Sequence, residues 1–301
     1  MGYKQIVNDI ISLKIQGAEN VAKEAVKSLV CVVDESKAKT SKDLLKELHA
    51  AKDELFATRP TEPCMRNALE YIFAHLPKHK ESDIVRTLIE RVNGVLKDFA
   101  DSNKKIIEFG ANKIKNGMVI YTHCHSSTVV KILLEAKRQG KRFEVHNTET
   151  RPLFQGRKTA TELAAAGIPV TLYVDSAMRL ALRKADLALI GADAVSTEGK
   201  VINKIGSELA AQICTNFDVP FYCCTNSWKF DPKTLFGFDE KIEMRHRKEV
   251  WDKPSKGIGI NNYAFESVDS VLITGIISEL GIYKSSVFIE ELRRAYPWMF
   301  N

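Results

Sequence analysis

From residue 117 onward the chain alternates short apolar runs with amphipathic segments, and this alternation restricts the possible fold more than any other feature. The apolar runs are Met118–His123, Phe143–Asn147, Val170–Val174, Leu187–Ile190, Phe221–Thr225 and Ser270–Thr274. Between them, Val129–Arg138, Lys158–Ala166, Ala177–Lys184 and Ile205–Asn216 repeat apolar residues at helical spacing. Continuously apolar strands are those buried on both faces, and strands separated by helices pair in parallel through right-handed crossovers. The expectation is an α/β fold whose parallel sheet is covered on both sides. Gly167-Ile168-Pro169 stops one of the helices and leads into a strand.

Upstream the texture is different. Ile6, Ile10 and Leu13, then Val21, Ala25 and Leu29, recur at helical spacing, with a break at Gln16-Gly17-Ala18-Glu19. Lys42–Phe56 and Met65–Leu76 continue the pattern, with Pro60 and Pro63 between them. Glu81–Ile114 reads as one long helix or two, Gly94 being the weak point. No strand is expected before residue 117. The chain therefore divides into an all-helical N-terminal domain, residues 1–116, and a Rossmann-like α/β catalytic domain, residues 117–301. The segment Asn226–Asn261, rich in Lys, Asp and Pro, is too long for a simple connection and is expected to serve function or assembly.

The net charge of +6 is spread along the 301 residues as Lys, without a block of one sign. That argues against a nucleic-acid arm and for a solvated surface with a focused anion pocket. The N-terminus lacks an apolar signal core, and no apolar run approaches the roughly 20 residues that cross a bilayer. Six scattered cysteines with no C-x-x-C pair read as reduced thiols in a cytoplasm.

The chemistry concentrates at Ile120-Tyr121-Thr122-His123-Cys124-His125-Ser126-Ser127-Thr128. A strand that ends in hydroxyls and opens a helix is an anion site, because the first helical N–H groups lack partners and the helix dipole favours negative charge. Cys124 sits at that mouth, where the dipole is expected to lower its pKa. A second apolar strand ends on Asp193, in Leu189-Ile190-Gly191-Ala192-Asp193. Parallel strands end on one edge of the sheet, which is where such folds bind ligands. Singly, Cys124 reads as a buried structural thiol and Asp193 as a cap; together they make an acid/base pair.

His123 and His125 share one face of an extended chain and Cys124 takes the other, a poor arrangement for three ligands on one metal. Neither G-x-x-x-x-G-K-[ST] nor a complete G-x-G-x-x-G follows a strand, so neither a nucleotide nor any other cofactor is expected. Gln16-Gly17-Ala18, Thr58-Arg59-Pro60-Thr61, Glu149-Thr150-Arg151-Pro152, Val201–Gly206 and Asn226-Ser227-Trp228-Lys229 are candidate phosphate-holding stretches. Taken one at a time, each basic residue is more often a surface charge. Converging on one sheet edge, they would hold a doubly phosphorylated small molecule.

Over nearly its whole length the chain resembles a superfamily. Its members are the alpha, beta and delta subunits of translation initiation factor 2B, methylthioribose-1-phosphate isomerase and archaeal ribose-1,5-bisphosphate isomerase. The resemblance is carried by Ile15-Gln16-Gly17-Ala18, Thr58–Thr61, Thr122–Ser127, Glu149–Pro152, Gly191-Ala192-Asp193-Ala194-Val195, Asn203-Lys204-Ile205-Gly206 and Asn262-Tyr263-Ala264-Phe265-Glu266. It implies an isomerase in which Cys124 and Asp193 are the acid/base pair, acting on ribose 1,5-bisphosphate in nucleoside monophosphate salvage that feeds a carboxylase. It further implies phosphate-binding roles for Gly17, Arg59, Ser126, Ser127, Thr128, Asn203 and Lys229. Gln16, Ala18, Glu19 and Lys204 are their neighbours in the expected substrate site. Gln16 departs from the Arg that the methylthioribose enzyme carries in its Arg-Gly-Ala segment. Related readings are a regulatory subunit of the translation factor and a methylthioribose-1-phosphate isomerase. A homo-oligomer, dimer or hexamer, is expected from the family and from the general habit of soluble enzymes.

Overall fold

The computed structural model describes residues 2–59, 61–74, 76–77, 80–238 and 242–300. Pro60 and residues 239–241 of the long loop lie outside the described residues. By packing the chain forms two units, Met1–Asp101 with Trp228–Phe230, and Ser102–Ser227 with Asp231–Asn301. The sequence boundary after residue 116 marks where strands begin, whereas the packing division falls inside a helix.

The first unit is helical. Helix α1 spans Tyr3–Ile11, α2 Ala18–Glu35, α3 Ser41–Thr58 and α4 Pro63–Phe73. Gly17, with φ +85°, ends the break and stands as the N-cap of α2. Thr40 caps α3 by accepting from Asp43 N, and its own hydroxyl donates to the Asp43 carboxylate. Pro63 opens α4 at the position where its missing N–H costs nothing. Helix α5 runs unbroken from Glu81 to Lys113. Gly94 therefore does not divide it: the neighbours Val92 and Val95 are buried and hold the helix from the other face. Ile10, Val21, Leu29, Leu48, Leu55 and Leu88 pack the interior.

Three residues reached from the second unit's sheet also belong here. Trp228 is fully buried, edge-on to Tyr71 at 5.5 Å and to Phe99 at 5.6 Å. The buried Asn67 side chain donates to the carbonyls of Trp228 (2.8 Å) and Phe230 (2.7 Å). Each of those buried carbonyls, left unpaired, would cost about 1–3 kcal/mol.

The second unit is α/β. Strands β1 (Val119–His123), β2 (Glu144–Thr148), β3 (Val170–Tyr173) and β4 (Leu187–Ile190) form one part of its main sheet. Two short strands follow, β5 (Ala194–Val195) and β6 (Val201–Lys204), and then β7 (Phe221–Cys224). The last three are β8 (Phe265–Val268), β9 (Gly275–Ser278) and β10 (Gly281–Tyr283). The seven-stranded sheet has the order β10-β9-β7-β4-β1-β2-β3. It is parallel except for β10, a hairpin partner of β9. Strand order reverses between β1 and β4. Helices α6 (Ser127–Arg138), α7 (Gln155–Ala165), α8 (Met178–Leu182), α9 (Ser207–Asn216) and α10 (Ser285–Ala295) complete the unit. Ile106, Ala111, Val129, Ile132, Leu133, Val145, Leu163, Leu189 and Ile277 form one buried cluster, so the end of α5 packs with α6 and α7 on the sheet.

Two readings are corrected. Ser270–Thr274 is not a strand: Asp269 accepts from Val271 N and winds Ser270–Leu272 into a tight turn, leaving Val271 84% exposed. The strand is the fully buried β9 that follows. The helix expected from Ile205 also starts later. Val201–Lys204 is β6, paired antiparallel with β5 and β8 in a small separate sheet, and α9 begins only at Ser207. The long segment holds three short 3-10 turns, and Arg245 ties it internally to Glu243 and Glu249.

Gly94 is exposed, and a Cβ there would meet nothing within 4 Å. Gly94→Ala should stabilise the protein by about 0.5–1 kcal/mol through lost chain entropy in the unfolded state. A raised midpoint in urea unfolding with an unchanged slope is the expected result. A lowered midpoint would show that α5 needs a flexible joint there.

Candidate functional site

Strand order reverses between β1 and β4, so the chains leaving them diverge and open a crevice at the carboxyl edge. Cys124 is the first residue beyond β1, and Asp193 lies three residues beyond β4 (193 − 190 = 3). Both are half-buried. Gly191 brings the β4 end against the start of α6: a Cβ there would lie 2.7 Å from Ser126 Oγ. Ser126 in turn caps α6, its hydroxyl accepting from Val129 N at 3.4 Å and its carbonyl from Val130 N at 2.9 Å. Ser127, exposed, and Thr128, buried, head the helix with the amide groups that an α-helix leaves without internal partners.

Cys124 has φ +66°, a left-handed conformation that a non-glycine residue rarely adopts. Its N–H donates to Thr150 Oγ1 at 3.0 Å, and its carbonyl accepts from Thr159 Oγ1 at 2.9 Å. Thr150, beyond the β2 end, is itself left-handed at φ +61°. The Asp175 carboxylate, beyond the β3 end, accepts from Thr150 N (2.8 Å) and Arg151 N (2.7 Å). Three successive strand ends are thus linked side by side.

The preceding residue, His123, is buried. Its Nδ1 lies 2.6 Å from the hydroxyl of its cross-strand neighbour Thr148, and its Nε2 lies 2.8 Å from Ile205 O. A carbonyl only accepts, so Nε2 carries the proton and Nδ1 accepts from the hydroxyl. Burial lowers the His123 pKa and keeps the ring neutral. Gly206, at φ +101°, packs so closely that a Cβ would lie 2.8 Å from Nε2. His123 is therefore a tie from β1 to the β6–α9 loop. Among the described residues no group of three His, Cys, Asp or Glu stands together as a metal-ligand set.

The end of β6, just before that loop, carries Asn203 and Lys204. Asn203 is buried and donates to Ser207 Oγ at 2.8 Å. Lys204 lies over the Phe265 ring at 4.8 Å. The N-terminus of α9 is already occupied: Glu266 of β8 accepts from Gly206 N (2.6 Å) and Glu208 N (2.8 Å). Burial raises the Glu266 pKa, and these backbone donors oppose that rise. Arg151, in the phosphate-holding stretch beyond β2, donates to Val250 O at 3.0 Å.

The remaining expected site residues belong to the helical unit. Gln16 is exposed and folds back on Leu13 O at 2.6 Å, Gly17 caps α2, and Ala18 is buried at its first position. Glu19 pairs with Lys23 one turn on. Arg59, at the end of α3, pairs with the buried Glu62 at 3.1 Å. Lys229 is only 8% exposed. The charges of Lys229, Glu19, Glu62 and Lys23 all bear on the buried Cys64, whose thiol is raised chiefly by burial. Glu19, the Glu62 that pairs with Arg59, and Lys229 are thus electrostatic neighbours of Cys64 within that unit.

The expected lowering of the Cys124 pKa is corrected. Burial pushes the thiol up to about 11; Lys204 pulls it down, while Asp193 and Asp175 add to the rise. The helix whose dipole was expected to act begins at Ser127, and the dipole's influence fades within a turn. The opposing actions of Lys204 and Asp193 mark both as electrostatic neighbours of Cys124. Sequence reasoning missed Thr159, Asp175 and the capping role of Glu266. An Asp directly after an apolar strand was the available signal for Asp175.

A family model described as the initiation factor 2 subunit family matches residues 14–285. A Pyrococcus furiosus protein named ribose 1,5-bisphosphate isomerase is 35% identical, the match covering 99% of this chain and 95% of that one. The protein of that name from Methanocaldococcus jannaschii is 34% identical over 98% and 96%. A Pelotomaculum thermopropionicum protein named methylthioribose-1-phosphate isomerase is 32% identical over 97% and 85%. Among solved structures, a Pyrococcus horikoshii protein described as translation initiation factor eIF-2B superposes with TM-score 0.83 at 28% identity, covering 95% and 98%.

With a pKa of about 11, the Cys124 thiol is protonated at neutral pH. Alkylation of Cys124 by iodoacetamide, followed by peptide mass spectrometry, should speed up about tenfold per pH unit between pH 7 and 10. Lys204→Met should slow it at every pH in that range. A plateau reached by pH 8 would show a thiol far more acidic than its surroundings allow.

Proposed function

The chain belongs to the initiation factor 2 subunit family, and from that premise we propose that it is an aldose–ketose isomerase converting ribose 1,5-bisphosphate to ribulose 1,5-bisphosphate. The observation that carries this reading is a thiol and a carboxyl at the two strand ends flanking the sheet reversal, with Lys204 acting on the thiol. The 31–35% identical relatives named for this activity support it.

In this substrate the phosphate ester on C1 prevents opening to a free aldehyde. Ring opening is therefore coupled to loss of the C2 proton. The Cys124 thiolate takes that proton. Asp193, as the carboxylic acid, gives its proton to the ring oxygen as the C1–O bond breaks, leaving an enol between C1 and C2. Cys124 then returns its proton to C1, and the Asp193 carboxylate takes the proton of the C2 hydroxyl, which becomes the ketone. Both groups end as they began. The thiol must ionise on substrate binding, releasing its proton to solvent, and Lys204 is the group that favours the thiolate. Ser126, Ser127 and Thr128 hold one phosphate at the head of α6, aided by Asn203 and Lys204. The family resemblance also assigns substrate roles, within the helical unit, to Gln16, Gly17, Ala18, Glu19, Arg59 and Lys229. Gln16 brings one charged contact fewer than an arginine would. The product belongs to nucleoside monophosphate salvage, and the assembly is a dimer or hexamer in a cytoplasm. No helix among the described residues is long and apolar enough to cross a membrane.

Phosphorus NMR of the pure protein with ribose 1,5-bisphosphate should show ribulose 1,5-bisphosphate forming. Cys124→Ser and Asp193→Asn should each abolish turnover, and Asp193→Asn should still bind substrate in calorimetry. A charged hydrogen bond is worth about 1.5–3 kcal/mol, so ribose 5-phosphate should bind at least about tenfold more weakly. Conversion of methylthioribose 1-phosphate instead would move the activity to that sister enzyme. The likeness to the protein described as eIF-2B favours a second reading, a regulatory subunit. No turnover of either sugar, with a stable initiation-factor complex in pull-down, would select it.

Light scattering at micromolar concentration should give the mass of a dimer or hexamer. A clean monomer would contradict the assembly.

A further inference from the structure

We propose that Asp175, acting through Thr150, is a positioning device that sets the direction of the Cys124 side chain. The proposal deepens the isomerase reading and rests on it only for the turnover measurements. Cys124 and Thr150 are both left-handed without being glycine, and Thr150 is β-branched, which makes its conformation the more costly. Such strain persists only where surrounding bonds over-determine it. Here the bonds are explicit. One carboxylate oxygen of Asp175 accepts from Thr150 N and the other from Arg151 N, so the carboxylate spans two consecutive peptides and turns the chain sharply after β2. In that turn Thr150 Oγ1 faces β1, accepts from Cys124 N, and lies 3.3 Å from its second partner, Thr148 O. Thr159 Oγ1 holds the same residue from its carbonyl. Cys124 is thus fixed at both its N–H and its carbonyl by side chains of the neighbouring βα unit.

A left-handed residue sends its side chain in a direction that an extended residue at the same place would not. With Cys124 released into an ordinary extended conformation, the thiol would leave the crevice mouth even though every strand stayed in place. Asp175 never meets the reacting atoms in this account; its effect reaches them through Thr150. Its charge also opposes ionisation of the thiol, so the two effects of removing it are separable. Loss of the charge favours the thiolate, whereas loss of the acceptors misdirects it.

The test compares Thr150→Val, which is nearly isosteric but cannot accept, with Thr150→Ser, which keeps the hydroxyl. Thr150→Val should lower kcat about 100-fold, the cost of a misplacement near 1 Å, with KM little changed. It should also alter the rate of Cys124 alkylation by iodoacetamide at fixed pH, and Thr150→Ser should restore both. Asp175→Asn should lower kcat similarly while moving the alkylation pH profile down. The double variant Asp175→Asn/Thr150→Val should be no worse in kcat than the more impaired single variant, since both act along one path. Circular dichroism checks that each variant is folded. Equal impairment in Thr150→Val and Thr150→Ser would overturn the proposal, as would wild-type kcat and alkylation in Thr150→Val. Should the wild type turn over no sugar phosphate while the Val/Ser difference in alkylation persists, positioning stands and the isomerase reading falls. If Thr150→Val does not fold, Asp175→Asn with unchanged kcat and an unchanged alkylation rate at saturating pH overturns it.

Discussion

The pairing of β1 with β4 is the constraint on which the site depends. Backbone hydrogen bonds hold Ile120 opposite Leu187 and Tyr121 opposite Ala188, so the two strands run in the same direction and stop at the same edge. Each then turns away to a different side, because the order of the remaining strands reverses there. Folds of this kind bind ligands at such a reversal, and the residues there are carried on the ends of two paired strands. Gly191 keeps the crevice narrow, since any larger residue would displace the cap of α6.

Within that frame two influences compete for the thiol. Proximity to a helix end favours an anion, and enclosure disfavours it. Enclosure dominates because the helix starts three residues later, and because two carboxylates act in the same sense as burial. The Cys124 thiol is therefore neutral at rest, and the nearby ammonium of Lys204 acts against that rise.

Much of this was legible in the sequence. Uninterrupted apolar runs such as Leu187–Ile190 mark strands buried on both faces, and the strand-to-helix junction at Cys124 marks the carboxyl edge of the sheet. The α/β class and the helical first part are read from the same periodicities. Legibility failed where a local side-chain bond overrode a run. Asp269 captured Val271 N and displaced the last parallel strand by several residues. The polar pair Asn203-Lys204 hid β6, whose partner strands are themselves too short or too polar to signal. The thiol pKa was misjudged because a dipole shows in a local motif, whereas burial is contributed by segments far apart in the chain. Asp175 was overlooked for a related reason: its partners are peptide N–H groups, which leave no trace in side-chain patterns.

Glu266 deserves a last consequence. Helices α6 and α9 each begin with N–H groups that would by themselves attract an anion. Glu266 is a tethered anion that has already filled the second socket. Its effective concentration there is far above that of any metabolite, so a free phosphate competes for α9 at a heavy disadvantage. What that end of α9 can admit is set by a side chain of the neighbouring strand. An engineer wishing to place a free anion at α9 would begin by vacating that socket.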